Sequence, residues 1–480
     1  MPEKLLLITQ FSGGLSSGSK RGLAGSFRFG NGLDIHQDPD KLQIMPASTK
    51  DSGTTVVDLP MFATTNTVNS NIYFLGDAGN IYARTSAGSW SIIQTLTNAE
   101  GLGFFSGTNL IYGVSDDTQF TIDPATDSVS TGYRTLNSAD YHPIEPFLDK
   151  IFTGNGRELV STDASAIDYD STTRGGGITV DYNYKIRCLK NIGDWLFIGC
   201  SSDNSSAAKY FLWDGVSDDY NYARTLMGED GINAVEITDD GTVLVFAGKK
   251  GHTYQLISID IPLKRIKRAT LPRIEKDKTI EVYPGSTTGY QGHILFAPSA
   301  GTSLTAEKGV YSWTSGRDED PMVLNLDYSI STKTTTGTGV KIGCLLGANS
   351  TELFIGWKDG SSYGVDLIDG TGAQGVALFE SLIHDDGEPD KIKHYKQFDI
   401  KLAGDLATGE VITLYYKAER GSWTSIGTLD YSVDEAINQK TFKPDIRAYE
   451  LEIKLAFANS GSTAPTIDSI TVIFEPENYI

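Results

Sequence analysis

Few side chains in this 480-residue chain stand in patterns that could do chemistry. Six histidines occur, His36, His142, His252, His293, His384 and His394, and no two share the short spacing by which one element presents two imidazoles to a metal. His384 and His394 flank an acidic linker and are expected in solvent. The run Gly13 to Lys20 has the glycine content of a phosphate-binding loop, but it lacks the Gly-Lys-Ser/Thr ending and a preceding strand. Gly175 to Gly177 carries no such ending either and is expected as a flexible loop. The acidic groups Asp38 with Asp40, Asp168 with Asp170, Asp218 with Asp219, and Asp318-Glu319-Asp320 all miss the spacing of a calcium loop. Turns between strands are the expected place for them. A carboxylate pair for glycoside hydrolysis would have to meet in one funnel, and spacing alone names no such pair. Tyr415, Tyr416 and Trp423 remain as candidates for glycan contact, because aromatic faces stack on sugar rings. The competing role for Trp423 is a core or cross-strand position. No catalytic, cofactor-binding or metal-binding residue is assigned, and no enzyme activity or cofactor is expected.

These residues sit in a chain built for short strands. It holds 51 Gly, 23 Tyr and 20 Phe, and long Ala/Leu/Glu/Lys stretches are missing. From residue 70 a short apolar strand recurs that ends in a small residue and runs into a polar turn. The small residues are Gly76, Gly113, Gly154, Gly199, Ala247, Ala297 and Gly356, about 47 positions apart on average. A second marker keeps the same phase: Thr95-Leu96, Thr135-Leu136, Thr225-Leu226 and Thr270-Leu271 are 40, 90 and 45 residues apart. Seven instances at this period predict a β-propeller of about seven blades, with six to eight allowed. Each blade has two apolar faces and buries them only against its neighbours. The small residue is expected on an inner strand, where chains crowd near the axis. No WD-type repeat or Asp-box matches, since Trp213-Asp214 occurs singly and Gly88-Ser89-Trp90 lacks a leading Asp.

Near residue 378 the rhythm changes. Past the linker His384 to Asp390 come long alternating strands at Lys393 to Leu402, Glu410 to Lys417, Trp423 to Leu429, Ala448 to Phe457 and Ile467 to Phe474. The alternation of apolar and charged residues from Tyr449 to Leu455 is that of a half-buried antiparallel strand. The fold class is therefore all-β: a propeller over 56–380, followed by a C-terminal β-sandwich of jelly-roll type over 385–480. Residues 1–55, rich in Gly and Ser between Phe11 and Asn31, are expected as an extended arm with the first strands.

The formal net charge of −21 disfavours nucleic acid and anionic membrane surfaces as partners. No stretch reaches the roughly 18 apolar residues of a membrane span. The run Leu5 to Ile8 is too short for a signal peptide, which implies synthesis in a cytoplasm. Cys188, Cys200 and Cys344 are odd in number and expected to be reduced and buried.

The run Gly22 to Pro39, with its Gly-Leu-Asp-Ile segment leading to Asp-Pro, resembles the opening of virion structural proteins of tailed bacteriophages. Gly421 to Leu429, Tyr449 to Leu455 and Ala464 to Val472 are similar to phage sandwich modules, which resemble carbohydrate-binding jelly rolls. The resemblance covers roughly the first 50 and last 100 residues. It implies a structural component of the tail or head–tail collar, located in the virion and made in the host cytoplasm. Its partners would be other virion proteins, copies of itself in a ring and possible host-surface glycan. The alternatives are a carbohydrate-binding host-attachment protein and a propeller-type glycosidase.

Overall fold

The fold is described from a computed structural model that covers residues 3–16, 18–38, 40–202, 207–237, 241, 243–247, 252–257, 265–270, 280–300, 309–314, 323–332, 340–372, 375–459 and 463–477. Among the described residues the only α-helix is Tyr431–Asp434, and no helix is long and apolar enough to cross a membrane. The acidic run Asp318 to Asp320 lies outside the described residues.

Among the described residues, seven four-stranded antiparallel sheets follow one another along the chain, the repeat of a seven-bladed propeller. Their first strands are Pro60–Thr65, Gly101–Phe105, Ile144–Phe147, Tyr184–Asn191, Ile232–Ile237, Ile280–Tyr290 and Val340–Gly347. Six sheets are built from consecutive strands. The seventh takes its fourth strand from Ser48–Lys50, which joins Ser362–Asp369. The apolar strand with the small residue is the second of each sheet, not the one nearest the axis. The reason lies in the neighbouring strands. A Cβ added at Gly199 would sit 2.5 Å from the Cys188 sulfur of its own blade and 2.8 Å from Ile232 of the next, and one at Gly356 would sit 2.5 Å from the Cys344 sulfur and 2.8 Å from Pro60 of the first blade. At these positions the second strand gives way to the first strand of its own blade and to that of the adjoining one. Blade seven meets blade one in a shared core of Val56, Ile72, Phe74, Tyr82, Cys344, Phe354 and Val365.

The chain divides into two compact units: Thr49–Lys308 with Thr338–Leu367, and Met1–Ser48 with Gly309–Gly337 and Ile368–Ile480. The second contains the sandwich, two five-stranded sheets. One pairs Lys4–Ile8, Ile467–Pro476, Lys393–Leu402 and Gln439–Phe442, with Ile446–Ala448 beside it. The other runs Phe29–Asn31, Ala377–Glu380, Leu451–Asn459, Glu410–Ala418 and Thr424–Asp430. Alternation places Phe398, Ile400, Ile412, Leu414, Ile453, Leu455, Ile470 and Val472 in one core between the sheets.

The expected N-terminal arm over 1–55 is instead woven into this unit. Lys4–Ile8 is an edge strand in register with Ile470 to Phe474, and Phe29–Asn31 pairs Leu378 to Glu380. Phe11, Phe27, Leu33 and Ile35 are fully buried in the sandwich core. The segment is also pinned to Val323–Tyr328, before and after Phe29–Asn31: Leu15 N–H donates to the Leu324 carbonyl at 2.7 Å, and Asn325 Nδ2 to the Leu33 carbonyl at 2.7 Å. Glycine and serine here serve close backbone packing rather than disorder.

Candidate functional site

The first strands of all seven blades line an axial channel of about 440 Å³. Its wall combines apolar residues with threonines and backbone polar groups, and the surface it exposes is more polar than apolar. Three charged residues enter it, Glu145, Lys190 and Glu236, one from each of three successive blades. Lys190 Nζ lies 2.6 Å from Glu236 Oε1, and the backbone N–H of Asn191 donates to Glu145 Oε1 at 3.0 Å. Burial pushes the Glu145 carboxyl above the usual carboxylate range, against the pull of Lys190 and Asn191. Burial also opposes the charge on Lys190, but Glu236 and Glu145 outweigh it and hold the ammonium above its usual value. A glycosidase keeps the space between its two carboxyls for the sugar. Here the strand between them brings an ammonium, so the three groups form a charge-compensated cluster.

A Lys190→Met variant is expected to lose about 2 kcal/mol in urea denaturation, below the roughly 3–5 kcal/mol for breaking a fully buried pair because the lysine is partly exposed. Adding Glu236→Gln should recover most of that loss. An unchanged denaturation midpoint in the single variant would refute the pairing.

A second cluster joins blades two and three. Asp116 and Asp117 are the two central residues of the hairpin turn after Leu110–Ser115, both at positive φ, as a two-residue type I′ turn requires. Glu100 precedes the first strand of blade two, and His142 lies in the link to blade three. His142 is fully buried. Its Nδ1 is 2.7 Å from the Gly154 carbonyl, and its Nε2 is 3.1 Å from Asp117 Oδ1 and 3.8 Å from Glu100 Oε2. Backbone donors hold the carboxylates: Asp117 N–H to Glu100 Oε2 at 2.8 Å, and Ala139 N–H to Asp117 Oδ1 at 3.2 Å. Burial raises the Glu100 carboxyl. It works on Asp117 too, but there the hydrogen bonds from His142 and Ala139 prevail and lower the value. Sequence spacing missed this cluster, because its members are 17 and 25 positions apart and converge only through blade packing. The only available signal was the Asp-Asp turn closing the second apolar strand.

The three aromatic candidates of the sandwich separate. Tyr416 packs against the core. Tyr415 is in register with Lys454, whose Nζ lies 4.4 Å from the Tyr415 ring centre and 4.7 Å from that of Trp423. Lys417 Nζ lies 4.5 Å from the Trp423 ring centre and 2.9 Å from Glu452, a fully enclosed carboxylate that Arg28 also meets at 3.0 Å. Tyr415 and Trp423 thus share a face whose rings are engaged by lysine cations.

Both linker histidines depart from expectation. His394 Nε2 pairs with Asp445 at 2.6 Å, and His384 is half-buried, its backbone bridging Leu451. Asp38 and Asp170 do cap turns, whereas Asp168 pairs with Arg134 at 2.6 Å. The three cysteines are free and buried, and burial pushes the thiols of Cys188 and Cys344 up to about 12.

No protein-family model matches the sequence, and no curated protein matches it. Solved structures do. The extracellular domain of a hybrid two-component system from B. thetaiotaomicron matches at TM-score 0.46 and 11% identity, over 80% of this chain and 45% of that one. This chain therefore spans about half the length of that protein. The β-propeller domain of Myceliophteria thermophila Cps50 (Swd1) matches at TM-score 0.46 and 10% identity, over 66% of this chain and 99% of that one. The WD40 repeats of RRP9 match at TM-score 0.45 and 10% identity, over 68% and 98%.

Proposed function

We propose that this protein is a non-catalytic structural component of a tailed-phage particle, in the tail or at the head–tail collar. It would dock neighbouring virion proteins and copies of itself in a ring. One observation carries the reading. The two stretches that resemble phage structural proteins, Gly22 to Pro39 and the C-terminal run to Val472, are some 400 residues apart, yet they belong to one compact unit. They pair through Phe29–Asn31, Ala377–Glu380 and Leu451–Asn459. What resembles a phage protein is therefore one folded module. The propeller would be a rigid docking body, and the −21 charge favours protein over nucleic-acid partners.

The test is quantitative mass spectrometry of purified particles from the source, calibrated against the major capsid protein. A small integer copy number such as five, six or twelve supports the reading. Absence from particles, with the protein free in the lysate, overturns it.

The shared outward face of Tyr415 and Trp423 favours glycan attachment as a second reading. A Trp423→Ala variant distinguishes the two. If the face is structural, the variant loses about 1 kcal/mol of stability, because the cation–π contacts go and the Lys417–Glu452 pair is uncovered. Binding on a glycan array then stays flat for both proteins. Glycan binding by the parent that Trp423→Ala abolishes would establish attachment.

A further inference from the structure

The cluster of Glu100, Asp117 and His142 needs a positive species at its centre, supplied either by a second proton on His142, which would then donate to Asp117, or by a cation. The Gly154 carbonyl can only accept, so the 2.7 Å contact puts a proton on His142 Nδ1. A neutral imidazole in that tautomer presents a lone pair at Nε2. That lone pair faces Asp117 Oδ1 at 3.1 Å and Glu100 Oε2 at 3.8 Å, both acceptors. Three acceptors converging in a buried place repel one another unless a positive species sits among them.

We propose that the cluster is a divalent transition-metal site of the zinc class, with His142 Nε2, Asp117 Oδ1 and Glu100 Oε2 as protein ligands. All three ligand atoms lie within 4.8 Å of one another. Bonds of about 2.0–2.1 Å in a tetrahedron separate the ligands by roughly 3.3–3.4 Å. The contacts of 3.1 and 3.8 Å bracket that separation, so small rotations complete the site. One imidazole and two carboxylates suit zinc, whereas calcium requires six to eight oxygens. The Gly154 carbonyl orients the ring from behind, as the outer partner of a metal-bound histidine does. The Asp117 side chain is 30% exposed, which gives the ion an entry path and leaves the fourth position to water. Because the ligands belong to blade two and to its link with blade three, the ion staples two successive blades.

The experiment is calorimetric titration of the full-length, chelator-stripped protein with zinc chloride, with Asp117→Asn alongside and thermal melting of both. His142→Gln is avoided because that ring is fully buried and its loss can unfold the chain. Asp117 lies at an open turn, and circular dichroism checks that its variant folds. The expected result is one zinc per chain, weakened at least tenfold in Asp117→Asn, with zinc raising the melting midpoint of the parent only. Two results overturn the site. One is no saturable binding, with nitrogen-15 spectra showing His142 doubly protonated, so that a proton supplies the charge. The other is equal binding by both proteins, which places the ion elsewhere.

Discussion

A Phe27→Ala variant is expected to lose about 3–5 kcal/mol in urea denaturation, the cost of emptying a fully packed aromatic site. Phe27 has no exposed surface, and its ring centre lies 5.7 Å from that of Phe379, which Phe11 meets edge-on at the same distance. A free arm predicts a different number. Substitutions in a solvated segment usually stay within about 0.5 kcal/mol, so the variant distinguishes a docking arm from a core segment. The same packing means that deleting residues 1–35 removes an edge strand and four fully buried side chains, Phe11, Phe27, Leu33 and Ile35. Such a truncation tests the folding of the sandwich rather than assembly of a particle. A Phe27→Ala midpoint equal to the parent's would refute the interwoven topology.

Acid is expected to destabilise the same unit through His384. The residue is half-buried, but its Nε2 is enclosed and has no hydrogen-bond partner among the described residues. Burial lowers its pKa to about 4, against the opposing pull of Asp385. An unfolded chain titrates near the ordinary value of about 6.5. Between these values the unfolded state binds the proton and the folded state does not. The stabilisation is therefore complete above about pH 6.5 and is lost as pH falls toward 4, by about 3 kcal/mol. Urea denaturation of the parent and of His384→Leu at pH 7, 5.5 and 4.5 gives the difference directly. Parallel curves for the two proteins would refute the assignment.

Two other groups act in other windows. Glu388, held down to about 2 by Lys391 and Lys4, loses its contribution only as pH falls below the ordinary carboxylate range toward 2. Glu145 has the opposite sign. Its raised carboxyl binds a proton in the folded state first, so its contribution falls as pH rises out of the carboxylate range.

The sandwich strands were legible nearly to the residue: Lys393–Leu402 and the start of Glu410–Ala418 lie where alternation puts them. The same alternation, which assigns every second residue to one face, separates Tyr416 from Tyr415, but only once the buried face is known. The short strands Gln439–Phe442 and Ile446–Ala448 escaped, being too brief for a period to show.

What the sequence determined by itself is the local part: an all-β chain, the blade repeat with its small residue, and the long alternating strands near the C-terminus. Each is set by the two-residue period of a strand and by turn residues a few positions apart, so a short window contains the whole signal. Only the tertiary structure decided that Leu5 pairs with Ile473, that Ser48–Lys50 completes the seventh sheet, and that Glu100, Asp117 and His142 converge. Those contacts are chosen by burial between segments up to several hundred residues apart, and no local pattern encodes which distant surface will cover a given face.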